Sequence, residues 1–309
     1  MQIDAVVLWV DGGDVNHQKK MMKYLGKDVD VTSRKVQDRF NQVEEIEFTI
    51  KSIIKNAPYI ENIYLVTDNQ TPTFLKKEEL PKVKLIDHMD IFGSYQKYLP
   101  TFNCLPIETV MANIPNLSEH FIYFNDDCFL INKTKETDFF VEGNPVLRGK
   151  WTKFYEDIWI REFFNKVLKK KKRVYGYKLG QQNIAKSLGF KKYFKFDHTP
   201  HPLRKSTIKK YFEEHPDMEE LNVKHRFRHP DQFTLQGLAN HIEIKNKTCV
   251  LKNDYQLLYI QSYKKALLYY KMLFFLKRRK ALFMCLQSLD KAAPNKLAFF
   301  KEQLTKIIK

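Results

Sequence analysis

Apolar and polar positions alternate regularly over the first 130 residues. Four short apolar runs rich in β-branched and aromatic residues predict buried strands at residues 3–10, 62–67, 83–87 and 120–124. Between them, residues 39–56 and 107–114 carry apolar side chains at helical spacing and stop before a proline, which predicts helices. Strands that alternate with helices predict an α/β fold with a mixed or parallel sheet of nucleotide-binding type, flanked by helices.

The second half of the chain has a different pattern. Residues 206–214 and 232–241 predict helices on either side of a polar cluster, His225-Arg-Phe-Arg-His229. The last fifty residues carry Leu, Ile, Phe and Tyr at helical spacings between lysines, which predicts two or three basic amphipathic helices. We therefore expect a catalytic domain over residues 1–254 and a helical C-terminal extension over residues 255–309.

The charge balance narrows the class of partner. The chain has 309 residues, 53 Lys and Arg against 36 Asp and Glu, and a formal net charge of +17. This excess favours a polyanion: nucleic acid, an anionic lipid surface or a phosphate-bearing substrate. A solvated lysine-rich surface, including the run at residues 169–173, is an equal alternative.

Other features limit the cellular setting. The four cysteines lie far apart without metal-ligand spacing, which favours free thiols in a reducing cytoplasm. The N-terminal residues lack a signal-peptide pattern, and no apolar stretch reaches the ~20 residues that span a bilayer. We expect a soluble or peripheral protein.

Acidic residues follow two of the predicted strands. Asp11 and Asp14 come after the first strand, and Asp126 and Asp127 come after the fourth. Carboxylates at the ends of strands in an α/β sheet can hold a divalent cation that bridges phosphates, or act as a base. The alternative is that each Asp only caps the next helix. Because two such pairs occur, we favour a site.

Histidine and arginine supply the other candidate chemistry. His198-Thr-Pro-His201 lies in a loop stiffened by proline, where a general base is a better interpretation than a zinc ligand because further ligands of clear spacing are lacking. Arg226 and Arg228 offer positive charge for a transferring phosphoryl group, and a surface salt-bridge patch is the alternative. Asn253 and Asp254 repeat the pattern of a strand followed by a carboxylate.

Four segments resemble, in the same order, the conserved regions of the Stealth family of capsular polysaccharide phosphotransferases, which also contains the lysosomal-enzyme N-acetylglucosamine-1-phosphotransferase. The first is Ile3-Asp-Ala-Val-Val-Leu-Trp-Val-Asp-Gly-Gly-Asp14. The second covers residues 39–129 and includes Arg39-Phe-Asn-Gln-Val-Glu-Glu-Ile, Leu99-Pro-Thr-Phe-Asn103 and Phe121-Ile-Tyr-Phe-Asn-Asp-Asp127. The third joins His198-Thr-Pro-His201 to Arg228-His229-Pro-Asp-Gln-Phe233, and the fourth is Val250-Leu-Lys-Asn253-Asp254.

The resemblance implies transfer of a sugar-1-phosphate from a UDP-sugar to a hydroxyl of a saccharide acceptor, with Mg²⁺, or alternatively Mn²⁺, as cofactor. It implies Asp127, His198 and Arg228 as catalytic residues. Asp127 and His198 are expected near the acceptor hydroxyl, with His198 favoured over Asp127 as the base, and Arg228 is expected on the transferring phosphate. Asp126 and Asp254 are the implied metal ligands. The implied substrate and nucleotide contacts are Asp11, Gly12, Asp14, Arg39, Asn103, Asn125, Asp126, His201, Asn253 and Asp254.

Two other functions fit the same sequence. A conventional metal-dependent glycosyltransferase would use the acidic residues at 125–127 and move only the sugar. A basic membrane- or nucleic-acid-binding protein would show salt-dependent affinity and no turnover. For the phosphotransferase we expect a bacterial cytoplasmic location, peripheral at the inner face of the membrane through the C-terminal helices, and no nucleic-acid partner.

Overall fold

The computed structural model describes residues 1–25, 43–157 and 176–309. Within these ranges the strands are β1 Ile3–Leu8, β2 Ile60–Thr67, β3 Val83–Asp87, β4 His120–Asn125, β5 Cys128–Leu130, β6 Phe140–Val141, β7 Asn144–Arg148, β8 Lys150–Thr152, β9 Tyr193–Lys195, β10 His201–Arg204, β11 Val250–Lys252, β12 Leu257–Ile260 and β13 Phe283–Leu286. The α-helices are α1 Val15–Tyr24, α2 Glu45–Asn56, α3 His88–Phe92, α4 Cys104–Val110, α5 Tyr177–Ser187, α6 Lys205–Glu214, α7 Pro216–Val223, α8 Leu235–Asn246, α9 Leu267–Lys277 and α10 Pro294–Ile308.

The centre of the molecule is a five-stranded sheet in the order β10-β4-β1-β2-β3. Strands β4, β1, β2 and β3 run parallel, and β10 pairs antiparallel with β4. Helices flank the sheet, so the predicted α/β class with a mixed sheet is confirmed. All four strands predicted before residue 130 are present. The helix predicted at 39–56 ends at Asn56 as α2, and residues 39–42 of that prediction lie outside the described residues. The helix predicted at 107–114 is α4, which begins three residues and ends four residues earlier.

Both faces of the sheet are covered, which explains why β1 reads as an unbroken apolar run. Alternate β1 residues point to opposite sides: Ala5 and Val7 pack with Ile50 and Ile53 of α2 in one core. Val6 and Leu8 pack in a second core with α4, α6 and α8. Both faces of the main sheet are therefore packed against helices. The loops that follow the parallel strands lie at its carboxyl edge.

The C-terminal segment differs from the predicted set of helices. It contains α9 and α10, but residues 257–260 and 283–286 form strands, and β12-β13-β5 make a three-stranded sheet. Short runs of consecutive apolar residues suit a buried strand as well as a buried helix, which is why helical spacing misled the prediction. The segment shares one core with Phe129 and Ile131, so it packs on the catalytic part of the chain.

Two sequence predictions lie outside the described residues: the contact by Arg39 and the basic run at residues 169–173. Among the residues that are described, no helix is long and apolar enough to cross a membrane.

Candidate active site

The loops that follow β1 and β4 meet at one edge of the main sheet. The two strands are parallel neighbours in register, with Leu8 beside Asn125 at their carboxyl ends. The acidic residues that follow both strands therefore lie on the same edge, which is where α/β sheets bind ligands. Strand β5 begins at Cys128, so Asp126 and Asp127 form a tight turn between β4 and β5.

Carboxyl groups accumulate at this turn. Burial, together with the negative charge of Asp127, raises the pKa of Asp126 to about 7. Glu45, in the first turn of α2, has a pKa raised to about 9 by burial and by the charges of Asp126, Asp127 and Asp290. One oxygen of Glu45 and one of Asp127 are buried with no hydrogen-bond partner among the described residues. Such a cluster is stable when it holds protons or a cation.

The oxygen atoms in this cluster fit a hard divalent cation, because Mg²⁺ and Mn²⁺ prefer carboxylate ligands. Asp127 also belongs to a group with Cys128 and Cys285, in which the possible ligand atoms lie within 4.8 Å of one another. Burial raises the pKa of Cys285, and burial and the nearby aspartates oppose ionisation of Cys128. Neutral buried thiols are poor ligands for a hard cation, so this group does not fit Mg²⁺ or Mn²⁺. Among the described residues, Glu45, Asp126 and Asp127 do not bring their ligand atoms within 4.8 Å of one another.

His198 lies next to the acidic turn. Burial raises the pKa of Asp127, and His198 opposes that rise. Burial lowers the pKa of His198, and Asp127 opposes the decrease. The Cys128 thiol donates a hydrogen bond to the backbone oxygen of His198 at 3.1 Å. A neutral imidazole beside a carboxyl group is an arrangement suited to accepting a proton.

Two aromatic rings enclose His198. Tyr177 stacks on the imidazole with ring centroids 4.5 Å apart, and Tyr259 lies 5.3 Å away on a tilted plane. The Tyr177 hydroxyl also lies 3.4 Å from Nε2 of His201. His201 is buried, and burial lowers its pKa to about 3, so it stays neutral in the wall of the site.

Arg228 approaches from the loop between α7 and α8. Its side chain is exposed, its Nη2 lies 3.7 Å from Sγ of Cys104, and its charge acts on His198 and on Glu108. Glu108 is buried with a pKa raised to about 7, and burial is the largest cause. Asp127, His198 and Arg228, which the resemblance implies as catalytic, are thus linked by their electrostatic interactions.

Asn125 connects the turn to the same buried carboxyl group. The Tyr123 hydroxyl lies 2.8 Å from Oδ1 of Asn125 and 3.1 Å from Oε1 of Glu108. A hydroxyl donates only one proton, so both contacts are hydrogen bonds only when Glu108 is itself protonated. The raised pKa of Glu108 is consistent with that state.

The side chain of Asn103 forms hydrogen bonds that connect two segments of the structure. It is buried, its Nδ2 donates to Oε1 of Gln232 at 2.8 Å, and its Oδ1 caps α4 by accepting from Leu105. The Phe102 backbone N–H donates to the Arg226 oxygen at 2.8 Å. These bonds attach the Arg228 loop to the start of α4, and the predicted contact between Asn103 and substrate stays a prediction.

The loop after β1 is ordered by local hydrogen bonds. Asp11 accepts from the backbone of Gly13 at 2.8 Å, and the oxygen of Gly12 accepts from Gln18 at 3.0 Å. Asp14 caps α1 by accepting from His17 at 2.7 Å. For Asp14, the capping interpretation is therefore the one that the hydrogen bonds support.

A cavity of about 350 Å³ adjoins this loop, and we call it the β1 pocket. That volume is within the range of small-ligand sites. It is lined by Trp9, Asp11, Val43, Glu44, Ile46, Glu47, Thr71, Pro72, Thr73, Phe74 and Lys301. The start of α2 thus borders the pocket through Glu44 and the acidic cluster through Glu45.

Asn253 and Asp254 belong to the loop that joins β11 to β12. Both are exposed after β11, and Asp254 accepts from the backbone of Gln256 at 2.9 Å. The charge of Asp254 acts on the buried guanidinium of Arg148. The predicted pairing of Asp126 with Asp254 at a metal ion stays a prediction.

Sequence reasoning missed four side chains of the site. Glu45 was part of a quoted motif, but an acidic residue in the first turn of a helix is common and gives no separate signal. Tyr177, Tyr259 and Glu108 lie far apart in the sequence in unremarkable contexts, and only the fold brings them to His198 and Arg228.

Comparison with known proteins adds independent information. Residues 1–29 match the family model "Stealth protein CR1, conserved region 1", and residues 39–146 match "Stealth protein CR2, conserved region 2". The chain is 32% identical over 249 residues to the receptor polysaccharide phosphotransferase WefC of Streptococcus oralis, covering 74% of each chain. It is 34% identical over 255 residues to the exopolysaccharide phosphotransferase cps2G of Lactiplantibacillus plantarum, covering 75% of this chain and 73% of the relative.

A solved structure of the galactosyltransferase LgtC aligns with 99% of this chain and 95% of that chain, at 11% identity and a TM-score of 0.45. The capsular polysaccharide phosphotransferase LcbA of Neisseria meningitidis is 39% identical over 140 residues, which cover 45% of this chain and 38% of the relative. The family models and the two long alignments confirm the resemblance seen in the sequence: the chain belongs to the Stealth family.

Proposed function

We propose that this protein transfers a sugar-1-phosphate from a UDP-sugar to a hydroxyl group of a saccharide acceptor, forming a phosphodiester in a cell-surface polysaccharide. One observation carries the proposal: in this Stealth-family chain, His198 interacts electrostatically with both Asp127 and Arg228 beside the acidic turn that follows β4. The relatives with the longest alignments described above are named as polysaccharide phosphotransferases, which supports the same reaction class.

In the proposed reaction the acceptor oxygen attacks the phosphorus atom that bears the sugar. A new P–O bond forms, the bond from this phosphorus to the oxygen of the uridine monophosphate group breaks, and UMP leaves with that oxygen. The hydroxyl proton passes to Nδ1 or Nε2 of His198, which is neutral because burial lowers its pKa. The bond between the anomeric carbon and its oxygen stays intact, so the anomeric configuration of the donor is retained.

Electrostatic stabilisation is assigned to two groups. Asp127 stabilises the imidazolium that forms on His198, because each group acts on the pKa of the other. Arg228 binds the equatorial oxygens of the transferring phosphoryl group, since an exposed guanidinium beside His198 is positioned for charge that develops there.

We assign the nucleotide to the β1 pocket. Trp9 offers an aromatic surface and Lys301 a positive charge, and both line the pocket beside Asp11. A divalent cation, Mg²⁺ or Mn²⁺, bound by Asp126 or Asp127 at the acidic turn would neutralise the diphosphate of the donor. Asp126 and Asp254 stay the metal ligands predicted from the resemblance.

The partners proposed beyond the donor are an oligosaccharide or polysaccharide acceptor and an anionic membrane surface that contacts the C-terminal segment. Together they suit a cytoplasmic enzyme that works at the inner face of the membrane. Nucleic acid is not among the proposed partners.

Product analysis tests the reaction. The purified protein is incubated with Mg²⁺ or Mn²⁺, a panel of UDP-sugars and short oligosaccharides, and the released nucleotide and the ³¹P spectrum of the product are recorded. The proposal expects UMP and a phosphodiester resonance. Release of UDP with no phosphorus in the product would instead identify a glycosyltransferase that moves only the sugar.

A further inference from the structure

Helix α9 presents an apolar face to solvent. Five of the thirteen large apolar side chains that are exposed in the described part of the chain lie on this single helix: Leu268, Tyr269, Met272, Phe275 and Leu276. The side chain of Phe275 is 82% exposed, which is unusual for a phenylalanine on a protein surface. A concentration of this kind marks a binding surface.

The exposed residues form a continuous stripe. Leu268, Met272, Phe275 and Leu276 follow the i, i+4, i+7, i+8 spacing that places side chains on one face of a helix. The opposite face is anchored, since Tyr270 and Phe274 are buried in the core shared with Phe300. The helix is therefore held in place by one side while its second apolar side is left uncovered.

The last helix shows that this exposure is specific to α9. Helix α10 also carries large apolar residues, but Phe300, Leu304 and Ile307 are buried. Over its whole length, which the structure describes, α10 contributes none of the exposed large apolar side chains. The two helices therefore have different roles, although the sequence made them look alike.

Charge around α9 indicates what covers the stripe. No acidic residue occurs between Asp254 and Asp290, while this stretch contains seven basic residues: Lys264, Lys265, Lys271, Lys277, Arg278, Arg279 and Lys280. Six of them are exposed and Arg278 is half-buried. The one acidic side chain that acts on this set from the packed helix α10 is Glu302, through Lys271.

An apolar stripe framed by cations on both ends matches a bilayer surface with anionic headgroups. Apolar side chains enter the boundary of the acyl chains, lysine and arginine stay at the phosphate level, and Tyr269 suits the interface between them. We propose that α9 docks the protein on an anionic membrane by inserting Leu268, Met272, Phe275 and Leu276. This inference concerns binding alone, so it can fail or hold independently of the proposed transfer reaction.

Flotation with vesicles of phosphatidylglycerol and phosphatidylethanolamine tests the docking, with phosphatidylcholine vesicles as the neutral comparison. The full chain is expected to float with the anionic vesicles and to be released as salt rises. The variant L268S/M272S/F275S is expected to lose about tenfold or more of its partitioning. The matched control L85S/M89S removes exposed apolar groups at the edge of the main sheet, and its flotation should be unchanged.

A second variant keeps the test decisive if the serine variant loses its fold, as judged by circular dichroism. In K277Q/R279Q/K280Q only exposed charges change, and each removed cation should lower binding to anionic vesicles by about fivefold. Equal flotation of these variants and the unaltered chain would overturn the proposal, as would absence of flotation by the unaltered chain. A dimer of the unaltered chain that L268S/M272S/F275S converts to monomer, without flotation, would assign the stripe to a second copy instead.

Discussion

The loops after β1 and β4 begin from the same sequence pattern, an apolar strand followed by two aspartates, and reach different states. After β1, Asp11 and Asp14 accept local backbone hydrogen bonds and order their own loop. After β4, the chain turns at once into β5, and Asp126 and Asp127 are half-buried near Glu45 and His198. The pKa of a carboxyl group depends on the residues that the rest of the fold packs against it. The type of strand that precedes the carboxyl group does not determine that pKa.

The largest effect is expected on the β4 side. His198→Ala should lower kcat by about 10²–10⁴-fold, because it removes the proton acceptor beside Asp127. UMP release under saturating donor measures the change. His215→Ala, at an exposed histidine after α6, serves as control and should retain full activity. A kcat for the His198 variant close to that of the unaltered enzyme would remove the proposed base.

Arg228→Ala should cost about 10²–10³-fold in kcat/KM, since a group that stabilises charge in the transition state is lost. Arg228→Lys keeps the charge but loses the planar donor fork, and we expect it to recover only part of the rate. Steady-state kinetics of the two variants separates charge from geometry. Full recovery with lysine would show that the phosphate contact needs only a point charge.

For residues of the β1 pocket, we expect substitutions to change KM for the donor more than kcat. Lys301→Gln should raise KM for the UDP-sugar by about fivefold, with kcat little changed, because a partly exposed ionic contact is worth about 1 kcal/mol. Lys306→Gln on the same helix α10, where Lys306 pairs with Glu302, is the matched control. A fall in kcat with KM unchanged would place Lys301 nearer the reacting atoms.

Glu45 links the two sides, and its pKa of about 9 predicts a pH effect on stability. The folded protein keeps the Glu45 proton that the unfolded chain has lost above about pH 4.5, so stability decreases as pH rises towards 9. This single group contributes at most about 1.4 kcal/mol per pH unit to the decrease. Thermal unfolding at pH 6 to 9 should show a shallower decrease for Glu45→Gln.

A pH slope in Glu45→Gln equal to that of the unaltered protein would contradict a protonated, half-buried Glu45. Glu47→Gln provides the comparison on the same helix, since that carboxylate pairs with Lys51 at 2.9 Å.

The smallest effect is expected at Asp14. Asp14→Ala should lower the free energy of unfolding by about 1 kcal/mol through loss of the cap on α1, whereas Asp14→Asn should keep most of it. Denaturant unfolding measures both variants, and activity should change by less than threefold in either. A loss comparable to that of His198→Ala would show that Asp14 contacts the substrate, and the contrast between the two loops would fail.

Sequence reasoning reached the main sheet because its strands are unbroken apolar runs between turn residues. Strand β3 has the predicted bounds. Strands β1, β2 and β4 each differ from the prediction at one end, by one or two residues. It failed for β12 and β13, whose four-residue runs carry too little period to separate strand from helix.

The candidate site was predictable where a motif marks it and unpredictable where only packing makes it. Asp127, His198 and Arg228 came from the family pattern, and the structure brings them together. The side chain of Asn103, from the same pattern, forms hydrogen bonds with Gln232 and with the backbone of Leu105. No residue spacing in the sequence predicts these two bonds. The contact between Tyr177 and His198 joins residues from different elements, and neither carries a local signal.

The pairing of β13 with β5 has a consequence for the order of synthesis. The backbone N–H of Leu286 donates to the oxygen of Asp127 at 3.2 Å, and Met284 lies opposite Phe129 in the register of the two strands. Asp127 is synthesised well before Leu286, so the turn is made long before its backbone partner. The nascent chain thus carries an unfinished acidic turn until Leu286 has left the ribosome, and the turn gains this hydrogen bond only then.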